Sequence, residues 1–107
     1  MPDKSYSPFK EKIYALAKQI PKGKVATYGQ LATLAGSPGA SRAVGMCMST
    51  NKTPETIPCH RVVASNGKLT GYAFGGITKK KEILEKEGIK FINNNIDLKT
   101  YLWNPNN

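Results

Sequence analysis

The sequence predicts an α/β fold, a small helical domain with a winged helix-turn-helix and a short β-hairpin. Three observations lead there. Apolar residues recur at helical spacing over 8–20. Two short helical stretches, 28–35 and 40–49, are joined by a tight glycine-containing turn. Asn66-Gly67 stands beside an apolar run, the mark of a two-residue hairpin turn. A length of 107 residues suits one domain, 1–107, with a modest core.

Residues 1–6 are expected to be a flexible leader. Ser7-Pro8 starts the first helix, with Ser7 as N-cap and Pro8 at the first helical position. Phe9, Ile13, Leu16, Ala17 and Ile20 form its apolar stripe, and Pro21 ends it. Pro21-Lys22-Gly23-Lys24 is a turn. Thr27 and Gln30 make a capping box for the second helix, which Gly36 stops. Ser37-Pro38-Gly39 is a further start signal, and the third helix carries Arg42, Val44, Met46, Cys47 and Met48. Gly39, Ala40, Ser41, Ala43 and Gly45 keep its first turns slim, so its backbone can approach another surface closely.

Asn51 to Pro58 is a loop in which Asn51 holds a turn. Val62, Val63 and Leu69 are expected as short strands flanking the Asn66-Gly67 turn. Residues 71–76 form a glycine-rich loop with Tyr72 and Phe74, and it lacks the Gly-Lys-Ser/Thr ending of a phosphate loop. Thr78 caps a last helix through Ile83, Leu84 and Glu87, stopped by Gly88. Lys79, Lys80 and Lys81 open that helix as a solvated face or a phosphate contact. Ile89 to Ile92 reads as a strand and Asn93 to Asn95 as a turn. Asp97 to Trp103 returns along the domain, anchored by Tyr101 and Trp103. Residues 104–107 are expected to fray.

The net charge of +9, from 16 Lys+Arg against 7 Asp+Glu, favours a polyanionic partner. No apolar run approaches the ~18 residues of a membrane span, and the N-terminus lacks the apolar core of a signal peptide, so the expectation is a cytoplasmic protein with no membrane partner. Two cysteines, Cys47 and Cys59, in such a chain predict no disulfide. Two Cys and one His without Cys-x-x-Cys spacing predict no metal site.

The chemistry concentrates in Ile57-Pro58-Cys59-His60-Arg61-Val62-Val63. A thiol attacks as its thiolate, and an imidazole within reach, directly or through a water, can take the proton. Cys59 stands beside the only histidine, although neighbours in sequence need not point the same way.

This stretch resembles the O6-alkylguanine-DNA alkyltransferases, whose signature is Pro-Cys-His-Arg-Val. Other features of that family recur in order: Lys24-Val25-Ala26-Thr27-Tyr28-Gly29, Ser41-Arg42-Ala43-Val44-Gly45, Asn51, Gly71-Tyr72 and Glu87. The resemblance covers roughly residues 7–88. It implies that Arg42 enters the duplex from the second helix of the helix-turn-helix and fills the gap left by a flipped nucleotide, with Thr27, Ser41 and Ala43 at the DNA. Met48 would line the apolar wall of the pocket. The carbonyls of Cys59 and Val62 would accept from the guanine amine, and the Ala73 N–H would donate to O6. Tyr28 would donate to the base ring, and Tyr72 would close the pocket.

A relay from Cys59 through water to His60 and then Glu87 is implied, with Asn51 bracing the turn. The alkyl group would pass once to Cys59, without cofactor or metal, in a monomer bound to double-stranded DNA. The Cys59 sulfur is expected to lie bare on the floor of a cleft sized for an extruded purine. Phe74-Gly75-Gly76-Ile77 runs one residue longer than the family pattern, and Glu87 is assigned across it. The usual family member also carries an additional N-terminal domain.

Tyr101-Leu102-Trp103-Asn104-Pro105 resembles the ending of the alkyltransferase-like proteins, which bind alkylated guanine and mark it for nucleotide excision repair. Those typically carry tryptophan or alanine at the position of Cys59. A non-catalytic lesion sensor is therefore the first alternative, with excision-repair proteins as partners. A sequence-reading helix-turn-helix regulator and a cysteine hydrolase rank below it, because a minor-groove arginine reads sequence poorly and no oxyanion site is evident.

Overall fold

The structure is a computed structural model and describes residues 8–69 and 75–105. In chain order it contains α1 (Pro8–Gln19), β1 (Ala26–Thr27), α2 (Tyr28–Leu34), α3 (Ser41–Ser49), a 3₁₀ turn (Cys59–Arg61), β2 (Val62–Val63), α4 (Gly76–Lys86), β3 (Phe91–Ile92), β4 (Asn95–Ile96) and α5 (Leu98–Tyr101). The expected leader at 1–6, the Ser7 cap and the last two residues lie outside the described residues. Among those described, no helix is long and apolar enough to cross a membrane.

The organising contact is a two-stranded parallel pairing of β1 with β2, in register Ala26↔Val62 and Thr27↔Val63. Successive strand residues face opposite ways. Ala26 and Val62 accordingly pack into a cluster with Ile13, Ala17, Leu31, Val44 and Trp103 under α1–α3. Val25 and Val63 pack into a second cluster with Leu84, Ile89 and Ile96 under α4. The strip is thus buried on both faces.

That double burial corrects the hairpin expectation. Val62-Val63 is apolar without alternation, which suits a strand covered on both sides better than an edge arm. Asn66-Gly67 does form a tight turn, closed by Gly67 N–H to the Ala64 carbonyl at 3.0 Å, but Lys68 bridges Asn95. The antiparallel hairpin is β3–β4, turned through Asn93 and Asn94 at φ 52° and 64°. Asparagine tolerates this left-handed region better than most residues.

The helix-turn-helix is α2 and α3. Thr27 caps α2 as expected, its hydroxyl accepting from Gln30 N–H at 3.0 Å, while the Gln30 side chain accepts from Thr27 N–H at 3.3 Å. Thr27→Ala should cost about 1 kcal/mol of stability, read from a urea melt. The third helix starts within one residue of expectation, and the last does not. α3 begins at Ser41 behind Ala40, because Ser37 to Ala40 closes a turn of its own with Ala40 N–H on the Ser37 carbonyl at 2.9 Å. α4 begins at Gly76 with Gly75 as N-cap at φ 135°, so Thr78 lies inside the first turn.

The tail returns as read. Asp97 caps α5, and Trp103 is buried. Val25 N–H donates to the Tyr101 carbonyl at 2.9 Å and Trp103 N–H to the Val25 carbonyl at 2.7 Å. The Gln30 amide donates to the Trp103 carbonyl at 2.8 Å. Exposed Asn104 and Pro105 follow.

Candidate active site

The β1–β2 register brings two distant motifs together. Tyr28 opens α2 directly after β1, and Val62 follows the 3₁₀ turn that carries Cys59 and His60. Cys59 N–H donates to the Ile57 carbonyl at 2.8 Å, and Arg61 N–H donates to the Pro58 carbonyl at 2.9 Å. Asn51, buried, braces this segment from before. Its amide donates to the Ile57 carbonyl at 2.9 Å, and its carbonyl oxygen accepts from Thr53 N–H at 3.1 Å.

His60 Nε2 lies 3.0 Å from Glu87 Oε2. Burial pushes the imidazole pKa down. The hydrogen bond and charge of Glu87 pull it up but do not prevail, and Arg61 and Lys80 push it further down. The ring is therefore neutral near pH 7, the form that accepts a proton. Glu87 is itself the C-cap of α4, where the helix dipole disfavours a carboxylate. Burial pushes its carboxyl pKa up, yet hydrogen bonds from Arg61 and His60 outweigh burial and hold it below the usual range.

Arg61 is a residue to which the sequence assigned no role. Its Nε donates to Glu87 Oε1 at 2.9 Å and one terminal nitrogen to Oε2 at 2.7 Å. The other terminal nitrogen donates to the Ile20 carbonyl at 2.8 Å. One guanidinium thus ties the 3₁₀ turn to the ends of α1 and α4. Its position beside His60 in the signature was the only available hint.

Lys80 was also misread. Lys79 and Lys81 are on the surface side, the first 3.7 Å from Glu82 and the second donating to Asn94 Oδ1 at 2.8 Å. Lys80 is 1% exposed and donates to the Val62 carbonyl at 2.7 Å. Neither a solvated face nor a phosphate contact describes it. Lys80, Leu84 and Glu87 are spaced i, i+4, i+7, so they share the inner face of the helix; that spacing was the missed signal.

Both carbonyls expected to receive guanine already hold an internal donor. The Cys59 carbonyl accepts from Val62 N–H, and the Val62 carbonyl from Lys80. A carbonyl has a second lone pair for a further donor. The Cys59 residue is 4% exposed and packs in the cluster with Met48 and Val62. Two clefts among the described residues lie elsewhere. One runs between Lys68, Ile77 and Asn94, the other beside Leu34 and Leu102. Tyr72 and Ala73, expected over this pocket, lie outside the described residues.

Ser41, Arg42 and Ala43 are exposed together at the start of α3, and Met46, one turn on, is 69% exposed. Met48, on the opposite face, is buried towards Cys59. One helix thus carries an exposed arginine at its start and a buried face in the same core cluster as Cys59. Among the described residues no cluster of His, Cys, Asp and Glu could hold a metal ion.

A helix-turn-helix whose second helix leads from an exposed arginine to a cysteine, beside a histidine–glutamate pair, defines a thiol-bearing domain of DNA-binding type. The comparisons give it a family. Residues 8–89 match the family described as 6-O-methylguanine DNA methyltransferase, DNA binding domain, and the chain belongs to it. The methylated-DNA–protein-cysteine methyltransferase of Salmonella typhimurium is 46% identical over 82 residues, 77% of this chain and 47% of that protein. The chain spans about half the length of such relatives. The structure of Mycobacterium tuberculosis OGT in complex with DNA superposes with TM-score 0.73 at 41% identity, over 79% of this chain and 51% of the other. S. pombe Atl1, in complex with damaged DNA containing O6-carboxymethylguanine, superposes with TM-score 0.82 at 31% identity, over 98% of this chain and 100% of the other.

Proposed function

We propose that this protein repairs O6-alkylguanine in double-stranded DNA by direct, irreversible transfer of the alkyl group to Cys59. The observation that carries this reading is the Cys59–His60 turn with His60 Nε2 held 3.0 Å from Glu87. His60 takes the thiol proton, and Glu87 orients the ring and stabilises its charged form. The sulfur attacks the alkyl carbon, a C–S bond forms and the C–O6 bond breaks. The departing guanine anion is neutralised by a proton from the Tyr28 hydroxyl, and the phenolate regains a proton from solvent as His60 releases the one it took. No further partner supplies atoms, so each molecule acts once, without cofactor.

The DNA side follows from α3. The alkylated base is reached by flipping, at a few kcal/mol of unstacking. Arg42 fills the vacated space, while Thr27, Ser41 and Ala43 lie at the DNA and the slim first turns admit the minor groove. Met48, Val62, Tyr72 and Ala73 form the base pocket, and Asn51 keeps its turn in place. The protein works as a monomer in the cytoplasm.

A second reading rests on the superposition of S. pombe Atl1 over almost the whole of this chain. It makes the protein a sensor that binds the lesion without reacting and recruits nucleotide excision repair. Incubation with a duplex bearing O6-methylguanine, followed by mass spectrometry, separates the two. We expect one methyl on the Cys59 peptide and none in Cys59→Ala. Tight lesion binding with no mass change in the wild-type protein would overturn transfer and leave the sensor.

A further inference from the structure

Among the described residues five large apolar side chains stand exposed, Leu34, Met46, Ile77, Ile92 and Leu102, and Met46 is the most open at 69%. A single exposed apolar residue needs no explanation in itself. The surroundings set Met46 apart. It lies one turn beyond Arg42 and Ala43 on α3, so the three share one strip of the helix. Val44, Cys47 and Met48 take the buried face. Arg42 is the one charged residue between Ser41 and Ser49, in a chain with 16 Lys+Arg. Past Met46, the Ser49 and Thr50 hydroxyls turn back and donate to the Met46 carbonyl at 3.0 and 2.9 Å. A Cβ at neighbouring Gly45 would meet nothing within 4 Å, so open space flanks the thioether. The strip beyond Arg42 is therefore apolar and uncharged. It offers nothing to a phosphate, and it matches the C–H walls and base edges inside a groove.

We propose that Met46 is a second DNA contact beside Arg42: its thioether lies in the minor groove against sugars and base edges, about 6 Å along the helix and so within two base steps of the arginine. The inference rests on α3 facing DNA in the proposed function. It adds to that surface a source of affinity that salt does not screen, holding α3 in the groove while Arg42 enters the stack. Methionine suits the place, being unbranched and polarisable enough to fill an irregular gap.

Undamaged duplex is the probe, so no alkyl group need move. Binding is followed by fluorescence anisotropy across a salt series. Met46→Ala should weaken it about tenfold, as losing the burial of most of one methionine side chain implies. The slope of log K against log salt should stay the same, because a thioether displaces no counterions. Met46→Leu should restore most of the affinity, since it keeps the volume. Met46 is exposed, so these changes leave the core intact. An unchanged Met46→Ala affinity, or a changed salt slope, overturns the proposal.

A second measurement uses the unaltered protein. Hydrogen peroxide converts an exposed thioether to its sulfoxide, with water as the other product. Peptide mass spectrometry follows this reaction at Met46 with and without saturating duplex. Bound DNA should slow it severalfold, and an equal rate in the complex refutes the contact. If O6-methylguanine DNA gives no transfer while Met46→Ala still loses affinity for duplex, the repair reading fails and this one stands. If transfer occurs and binding ignores Met46, the reverse holds.

Discussion

Replacing His60 by alanine should slow alkyl transfer about 10²–10⁴-fold, the range typical of a positioned general base. Single-turnover transfer of a radiolabelled methyl group from duplex DNA measures it. The size follows from the geometry. His60 is 7% exposed, hydrogen-bonded to Glu87 at 3.0 Å, and kept neutral chiefly by burial. The folded pKa lies below the ordinary 6.5, so the wild-type rate should hold as pH falls to 6.5 and drop only once the buried ring takes a proton. Stability moves the same way. Below 6.5 the unfolded chain binds a proton that the folded chain resists, so acidification destabilises the wild type. His60→Ala should lack that share of the slope. A variant that transfers at the wild-type rate would remove His60 from the reaction.

Arg61→Ala should lower the unfolding free energy by about 1–3 kcal/mol, the cost typical of leaving a partly buried acceptor without its donor. Urea unfolding at pH 7 measures it. Three hydrogen bonds vanish at once, two to Glu87 and one to the Ile20 carbonyl. The carboxylate left behind is partly buried at a helix C-terminus, where the dipole disfavours it. Glu87 then has His60 as its remaining partner among those described, and its carboxyl should titrate higher. Arg61→Lys should recover little, because an ammonium cannot bridge both carboxylate oxygens and the Ile20 carbonyl from one plane. A loss under about 1 kcal/mol would show that the guanidinium is dispensable.

What could be read from the chain alone was local. The stripe of Ile13, Ala17 and Ile20, the Thr27–Gln30 box and the Asn93–Asn94 turn each rest on a few adjacent residues, and each stands where its pattern put it. The pairing of Ala26-Thr27 with Val62-Val63 was not legible. Two-residue strands carry no alternation, and parallel partners far apart in sequence share no turn to announce them. The His60–Glu87 contact was implied by the family resemblance, whereas its geometry depends on the return of α4 to the 3₁₀ turn. Charged side chains were the hardest to place. Lys80 stood in a run of three lysines and looked like surface, whereas only its helical phase relative to Leu84 marks it as interior. Arg61 had no periodic signal at all, since its partners come from the ends of two helices.

The bridge between Val25 and Leu102, with Trp103 donating to Val25 and receiving Gln30, also orders events during translation. A nascent chain emerges N-terminus first. Cys59 and His60 leave the ribosome well before the residues that clamp β1, so the clamp on Val25 closes only after Trp103 has emerged. Until then the thiol belongs to an unfinished scaffold.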